Sequence, residues 1–165
     1  MSTDKQMIKS YSSEYQDEVV ELILSIQQTE YSIPITKDDQ PDLLKIEDVY
    51  QNGAGNFWVA VHNGKVAGTI SLLDIGEGHV ALRKMFVHKD YRGKPMNTAS
   101  LLLRTAQTWA RSKYVRTIYL GTTPQFLAAH RFYEKNGFTE IEQTDLPERF
   151  PVLEVDKKFY KYDIR

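Results

Sequence analysis

One stretch of the chain, residues 77–113, changes from the period of a strand to the period of a helix. In "EGHVALRKMFVH" every second residue would share one face of a strand, whereas "NTASLLLRTAQTWARSK" repeats its apolar residues at helical spacing. We therefore predict a strand that ends near His88 and a helix from about Asn97 to Lys113, packed on a sheet. The helix residues predicted to face that sheet are Leu101, Leu102, Ala106 and Trp109.

Signals on both sides of this stretch predict a mixed fold. Asn63-Gly64 joins two β-rich runs and is the strongest short hairpin signal in the chain. A short strand at 7–11, a helix ending near Tyr31 and a second helix starting within "DDQPDLLKIEDVYQNG" precede the hairpin. "RTIYLGT" predicts a strand, "PQFLAAHRFYEKNGF" a helix, and "TEIEQTDL" and "KFYKYDI" two last strands. The predicted order is β-α-α-β-β-β-α-β-α-β-β, of the α/β (α+β) class, in a single domain spanning 1–165.

Composition excludes several kinds of protein. A net charge of −1 gives no broad basic surface, so we expect no nucleic-acid or anionic-lipid partner. The chain has no cysteine, which excludes disulfides, thiolate metal sites and a cysteine nucleophile. Its four histidines lack ligand-like spacing, so we predict no metal. No apolar run approaches the length of a membrane span, and we expect a cytoplasmic protein.

The loop between the central strand and helix combines amides with positive charge. If the helix begins near Asn97, the amides before it lack helical partners and, with the helix dipole, form an anion site. Arg92 and Lys94 add positive charge, and a pyrophosphate is the natural ligand of such a loop. The alternative is a surface turn that leads into an ordinary helix start.

Two motifs taken together resemble the GNAT superfamily of acetyl-CoA-dependent N-acetyltransferases. They are Arg92-Gly93, which follows a strand ending in "MFV", and the later "AAHRFYEKNGF". The resemblance runs from about Asn56 to Phe138. It implies a mostly antiparallel twisted sheet flanked by helices on both faces. It also implies transfer of an acetyl group from acetyl-CoA to a primary amine, of a small molecule rather than a protein. Without a cysteine for an acyl-enzyme, we expect direct attack in a ternary complex.

The same resemblance implies which residues bind the cofactor. The family's loop pattern, Arg/Gln-x-x-Gly-x-Gly/Ala, falls on residues 92–97, where Pro95 and Asn97 replace the two later glycines. Pro95 has no N–H, whereas Asn97 keeps its amide and can cap the helix. The backbone at the end of the preceding strand is implied to pair with the pantetheine arm, while its side chains belong to the core. The implied cofactor-binding residues are Phe86, Val87, Arg92, Gly93, Lys94, Met96, Asn97 and Thr98.

Tyr133 in "FYEKNGF" is the implied catalytic acid, which protonates the leaving thiolate. The alternative is a tyrosine that only packs between helix and sheet. The sequence leaves the general base open. Glu77, His79 and Asp74 are candidates, and each also fits an ordinary hairpin residue.

Two segments could contact the acceptor. Asp38, Asp39 and Asp42 could hold an ammonium group, or they could be acids that favour the start of a helix. Residues 146–160 could form a loop over the acceptor pocket, a homodimer contact or a plain packed loop.

A second class of function also stays open. Pro95, Asn97 and Phe126 depart from the family pattern, since Phe126 stands where the family often has an asparagine. These departures motivate a non-catalytic acyl-CoA-binding sensor or interaction module as the alternative to an enzyme.

Overall fold

The computed structural model describes residues 6–164, whose strands form one sheet. The strands are β1 (Gln6–Ser10), β2 (Asn56–His62), β3 (Lys65–Gly76), β4 (His79–Val87), β5 (Thr117–Thr122), β6 (Thr139–Ile141) and β7 (Lys158–Asp163). Their order across the sheet is β1-β2-β3-β4-β5-β7-β6. Only β4 and β5 are parallel among these neighbours. The α/β (α+β) class with a mostly antiparallel sheet is confirmed.

The described part of the chain also contains four α-helices and several single turns. The α-helices are α1 (Gln16–Leu24), α2 (Ile46–Tyr50), α3 (Thr98–Ser112) and α4 (Leu127–Lys135). Short 3₁₀ turns lie at Ser13–Tyr15, Pro41–Leu44, Lys89–Tyr91 and Gln143–Asp145, and a π-helical turn at Ser25–Glu30. Helix α3 connects β4 to β5, which is why these two strands can be parallel. No helix in residues 6–164 is long and apolar enough to cross a membrane.

Helices cover both faces of the sheet, and alternation along β2 directs side chains to each. Trp58 and Ala60 pack on the side of α3 and α4, whereas Phe57 and Val59 pack on the side of α1 and α2. Helix α3 buries one stripe, which consists of Leu102, Leu103, Ala106 and Ala110. On the other side the buried helical residues are Val19, Ile23, Leu43, Ile46 and Tyr50.

Two local predictions were wrong. The second helix is divided into a 3₁₀ turn and α2, because Lys45 between them leaves helical backbone at φ −147° and ψ 49°. Leu44, the last residue of the 3₁₀ turn, is 50% exposed. Asn97 does not cap α3 with its side chain. Its backbone is left-handed, with φ 52°, and its N–H donates to the Gly93 carbonyl at 2.9 Å.

Candidate active site

The parallel strands β4 and β5 diverge along their length and open a cleft. Their pairing runs from His79 opposite Thr117 to Ala81 opposite Tyr119, whereas β4 continues to Val87. The cleft has a volume of about 300 Å³. Its walls come from the second half of β4, the end of β5, α4, the π-helical turn with the residues after it, and the loop before β7.

A β-bulge lies where β4 forms the wall of the cleft. Lys84 and Met85 of β4 together face the single residue Ile70 of β3, and Lys84 has a φ of 54°. Hydroxyls of β3 bind the carbonyls on this bulge: Thr69 donates to Lys84 at 2.6 Å, and Ser71 donates to the Arg83 carbonyl at 2.7 Å. A bulge re-aims side chains, and this one accompanies two cationic residues that line the cleft.

Tyr133 reaches the cleft from α4 and is only 5% exposed. Its ring packs against Phe138 and Tyr160, with ring centroids 5.5 and 6.0 Å away. Burial and, secondarily, the Asp156 carboxylate raise the pKa of the Tyr133 phenol. The phenol is therefore protonated at neutral pH and is able to donate a proton.

Asp156 is a site residue that sequence reasoning missed. It lies in the loop before β7 and lines the cleft together with Tyr133. Its carboxylate comes so close to β5 that a Cβ atom at Gly121 would lie 2.9 Å from Oδ2. Burial raises the pKa of Asp156 to about 6, although a backbone hydrogen bond at Leu153 and the positive charges of Arg83 and Lys84 act to lower it. A glycine inside a strand, such as Gly121, was the one signal of this close approach.

Lys84 belongs to a buried polar network behind the cleft. Its Nζ donates to Gln40 Oε1 at 2.6 Å and lies 3.6 Å from Asp42 Oδ2. Asp42 also accepts a 2.6 Å hydrogen bond from the Tyr50 hydroxyl. Burial lowers the pKa of Lys84 to about 8, against the attraction of Asp42. The charge of Lys84 is thus matched inside the protein.

The predicted acidic cluster is not a single site. Asp42 belongs to the network around Lys84. Asp39 instead accepts hydrogen bonds from the Thr36 N–H at 2.9 Å and from its hydroxyl at 3.0 Å. Asp38 is exposed.

The predicted base candidates lie at the opposite end of β4 from the cleft wall. Asp74 accepts hydrogen bonds from the N–H groups of Ala54 and Gly76, at 2.9 and 2.8 Å, and so has a structural role. Glu77 lies in the β3–β4 turn, and His79 packs on Tyr119 where β4 and β5 are still paired.

Arg92 contacts both the strand end and the π-helical turn. Its Nε donates to the Val87 carbonyl at 2.8 Å. Its guanidinium forms a two-bond ion pair with Glu30, in which Nη2 lies 2.8 Å from Oε1 and Nη1 contacts Oε2. This hydrogen bonding to Glu30 raises the pKa of Arg92 and lowers that of Glu30. In this conformation the Arg92 side chain binds within the protein rather than facing a free anion.

The remaining predicted cofactor residues follow along the loop. Gly93 has a φ of 71° and open space around its Cα, and Lys94 is exposed. Gln6 of β1 binds the end of the loop. Its Nε2 donates to the Met96 carbonyl at 3.3 Å, and its Oε1 accepts from the Thr98 hydroxyl at 2.6 Å. The loop is thereby fixed to β1.

An aromatic wall closes the cleft near the strand end. Phe126 packs edge-on against Tyr31 at 4.8 Å and against Phe86 at 6.2 Å between ring centroids. Val87 is buried in the core, while Phe86 is partly exposed to the cleft. Phe126 therefore supplies apolar surface where the family often has an amide.

Comparison with known proteins identifies the family. The model of the Acetyltransferase (GNAT) family matches residues 20–138, which is well over half of the chain. The chain belongs to the GNAT acetyltransferase family. The resemblance carried by the loop and "FYEKNGF" is thus confirmed.

Solved and curated relatives agree with this GNAT assignment. A GNAT-family acetyltransferase of Staphylococcus aureus Mu50 is 41% identical, with a TM-score of 0.94, over 98% of this chain and 100% of that one. An acetyltransferase of Streptococcus agalactiae 2603 is 32% identical, with a TM-score of 0.91, over 96% and 98%. The N-acetylaspartate synthetase of Xenopus tropicalis is 39% identical over 102 residues, or 61% of this chain. The chain spans 37% of the length of that curated relative.

Proposed function

We propose that this GNAT-family protein transfers an acetyl group from acetyl-CoA to a primary amine of a small molecule, by direct attack in a ternary complex. The observation that carries the proposal is the cleft between β4 and β5, which is lined by a buried phenol, Tyr133, and a half-buried carboxylate, Asp156. Family membership supports the acetyl transfer. The similarity to a protein named N-acetylaspartate synthetase supports a small-molecule acceptor.

The cleft suits a thioester with a long, partly apolar arm. Phe86, Phe126 and Phe132 provide an apolar wall. Near the loop the cleft is lined by Ala99, at the start of α3, whose small side chain leaves room for the cofactor. The N-terminus of the fifteen-residue helix α3 favours an anion there. A cofactor arm along the unpaired part of β4 would use the backbone of Phe86 and Val87.

Besides the Thr98 hydroxyl, which donates to Gln6, two groups expected to bind the phosphates are already hydrogen-bonded in this conformation. They are the Arg92 guanidinium, which contacts Glu30, and the Asn97 N–H, which contacts the Gly93 carbonyl. Pro95 has no N–H to offer. We propose that the loop binds the pyrophosphate through its remaining residues, with Arg92 contributing positive charge. These residues are Gly93, Lys94, Met96 and Thr98.

Two residues of this chain would move the protons. Acetyl-CoA supplies an electrophilic carbonyl joined to a thiol leaving group. Asp156 takes a proton from the acceptor's ammonium group, so that the nitrogen lone pair is free to form the C–N bond. As the C–S bond breaks, its electron pair goes to sulfur, which Tyr133 protonates. The second amine proton returns to the Tyr133 oxygen, and Asp156 releases its proton to solvent.

Calorimetry and a turnover assay test the proposal. Isothermal titration with coenzyme A is expected to show stoichiometric binding, and a thiol-release assay with acetyl-CoA is expected to show turnover on at least one amine of a broad panel. Binding without turnover on any amine would favour the sensor alternative. A lack of binding would contradict both functions.

Four further expectations stay predictions. The chain is proposed to be a single N-acetyltransferase domain over 1–165, cytoplasmic, active without a metal and able to form a homodimer. Limited proteolysis, cell fractionation, assays with a chelator and sedimentation analysis test them in that order.

A further inference from the structure

We infer that the acceptor is an α-amino acid with an apolar side chain, whose carboxylate binds Arg83 and whose amine faces Asp156. The inference rests on the proposed acetyl transfer and adds the class of acceptor. Three features of the cleft carry it: its opposite charges, the partners of its cations, and the chemistry of its remaining wall.

The cleft holds charges of both signs on its facing walls. Arg83 and Lys84 come from β4, and Asp156 comes from the loop before β7. They are close enough for both cations to lower the pKa of Asp156. A zwitterion carries a matching pair of charges, whereas a simple amine would pair with Asp156 and offer Arg83 no carboxylate.

Arg83 is the cation suited to a carboxylate of the substrate. Lys84 is already matched by Asp42 and Gln40. Arg83 instead donates from Nη1 to a neutral oxygen, the Tyr50 hydroxyl, at 3.1 Å. A guanidinium has five N–H donors and can bind a carboxylate through two parallel hydrogen bonds. Tyr50 thereby holds Arg83 in place without neutralising its charge.

The rest of the acceptor wall is apolar. Its side chains come from the π-helical turn, from the segment after it and from the loop that carries Asp156. They are Ile26, Ile33, Ile35, Phe150, Leu153 and Val155. Four of them, the three isoleucines and Phe150, are at most 7% exposed. An acidic side chain would lose hydration there without a second cation to bind it. The acceptor therefore differs from the aspartate in the name of the Xenopus relative.

A panel of related amines tests the acceptor class. We expect thiol release with leucine, isoleucine, methionine or phenylalanine, and kcat/KM at least about 100-fold lower for 3-methylbutylamine, which is leucine without its carboxylate. Aspartate is expected to be a poor acceptor. If 3-methylbutylamine matches leucine, or if aspartate is preferred to the apolar amino acids, the inference is wrong.

A charge-removing variant tests the role of Arg83. Arg83→Gln is expected to lower kcat/KM for leucine about 100-fold more than for 3-methylbutylamine, chiefly through KM. Arg104→Gln, on the exposed side of α3, removes the same charge and should leave the ratio of the two substrates unchanged. Arg83→Lys should restore part of the preference for leucine. An undiminished preference in Arg83→Gln would exclude Arg83 as the carboxylate ligand.

The outcomes separate this inference from the proposed function. Turnover confined to amines without a carboxylate would overturn the acceptor class and leave acetyl transfer intact. Failure of thiol release with every amine would overturn the proposed function itself. The substrate panel uses the unaltered protein, so it decides the acceptor class even if Arg83→Gln does not fold.

Discussion

Tyr133 and Asp156 line one cleft but titrate over different pH ranges. Burial raises both pKa values, so the phenol keeps its proton at neutral pH while the carboxyl, with a pKa of about 6, is largely ionised there. One environment thus yields a proton donor and a proton acceptor, because their ordinary pKa values are far apart.

Replacing the phenol tests the acid. Tyr133→Phe is expected to lower kcat about 100-fold, a typical general-acid contribution, and to change the coenzyme A affinity less than about twofold. Stopped-flow or steady-state thiol release gives kcat, and calorimetry gives the affinity. Tyr162→Phe, on β7, removes a phenol that packs on Phe138 and should leave kcat unchanged. An unchanged kcat in Tyr133→Phe would remove Tyr133 from the mechanism.

Replacing the carboxylate tests whether ionised Asp156 lowers the free energy of unfolding. Its pKa is higher in the folded protein than in the unfolded chain, so the folded state loses stability as pH rises through about 6. Asp156→Asn should therefore be more stable than the unaltered protein at pH 7.5, by roughly 1–2 kcal/mol or about 2–6 °C in Tm. The difference should shrink as pH falls toward 4, which thermal unfolding at several pH values would measure.

The same variant should lose activity while it gains stability. Glu154→Gln is the matched control, because Glu154 is exposed in the same loop and should change neither property. Equal Tm values for Asp156→Asn and the unaltered protein at pH 7.5 would contradict an ionised Asp156 carboxylate that destabilises the folded state.

Sequence reasoning singled out Tyr133 but not Asp156 and Arg83, the charged residues that line the same cleft. Tyr133 lies within a motif whose neighbours are fixed by the helix and its Asn136-Gly137 end. Asp156 and Arg83 are distant in sequence. They line the same cleft because β7, which follows Asp156, pairs with β5, and β5 is the neighbour of β4 in the sheet. Long-range pairing of this kind leaves no local pattern in the chain.

The loop before α3 and the β2–β3 hairpin each contain a glycine with a left-handed backbone. Gly93 and Gly64 have similar positive φ values, 71° and 79°, and a Cβ at either would meet nothing within 4 Å. Gly93→Ala and Gly64→Ala should thus cost similar stability, about 1 kcal/mol each. Only Gly93→Ala should also weaken coenzyme A binding. Calorimetry and thermal unfolding of both variants check this. Equal coenzyme A affinities for the two variants would mean that the loop does not bind the cofactor.

Local signals predicted most elements, and they failed where the tertiary structure decided the backbone. The Asn63-Gly64 hairpin formed as expected, with positive φ at both residues. The second helix did not extend through Lys45, whose backbone is not helical, although Leu43 and Ile46 on either side of it are both buried in the same cluster. Asn97 was expected to cap α3, but its left-handed backbone uses the N–H inside the loop.

For the whole molecule, the sheet consists of two parts joined where β4 and β5 pair briefly. A ligand in the cleft would contact both parts. Coenzyme A at 100 times its Kd should stabilise the folded protein by about 2.7 kcal/mol, or roughly 5–10 °C in Tm. Differential scanning fluorimetry measures the shift, and Gly93→Ala should need more ligand for the same shift. No shift at saturation would mean that the folded state does not bind the ligand.

The π-helical turn after α1 connects the two regions proposed to bind the acceptor and the cofactor. The Tyr31 N–H donates to the Ile26 carbonyl at 3.1 Å. This i→i+5 hydrogen bond includes one more residue per turn than the i→i+4 bond of an α-helix. From the same turn Gln27 bonds Gln40 on the acceptor side, and Glu30 bonds Arg92 at the cofactor loop. Removing one residue between Gln27 and Glu30 would rotate the second side chain relative to the first, so the turn could not keep both of these hydrogen bonds.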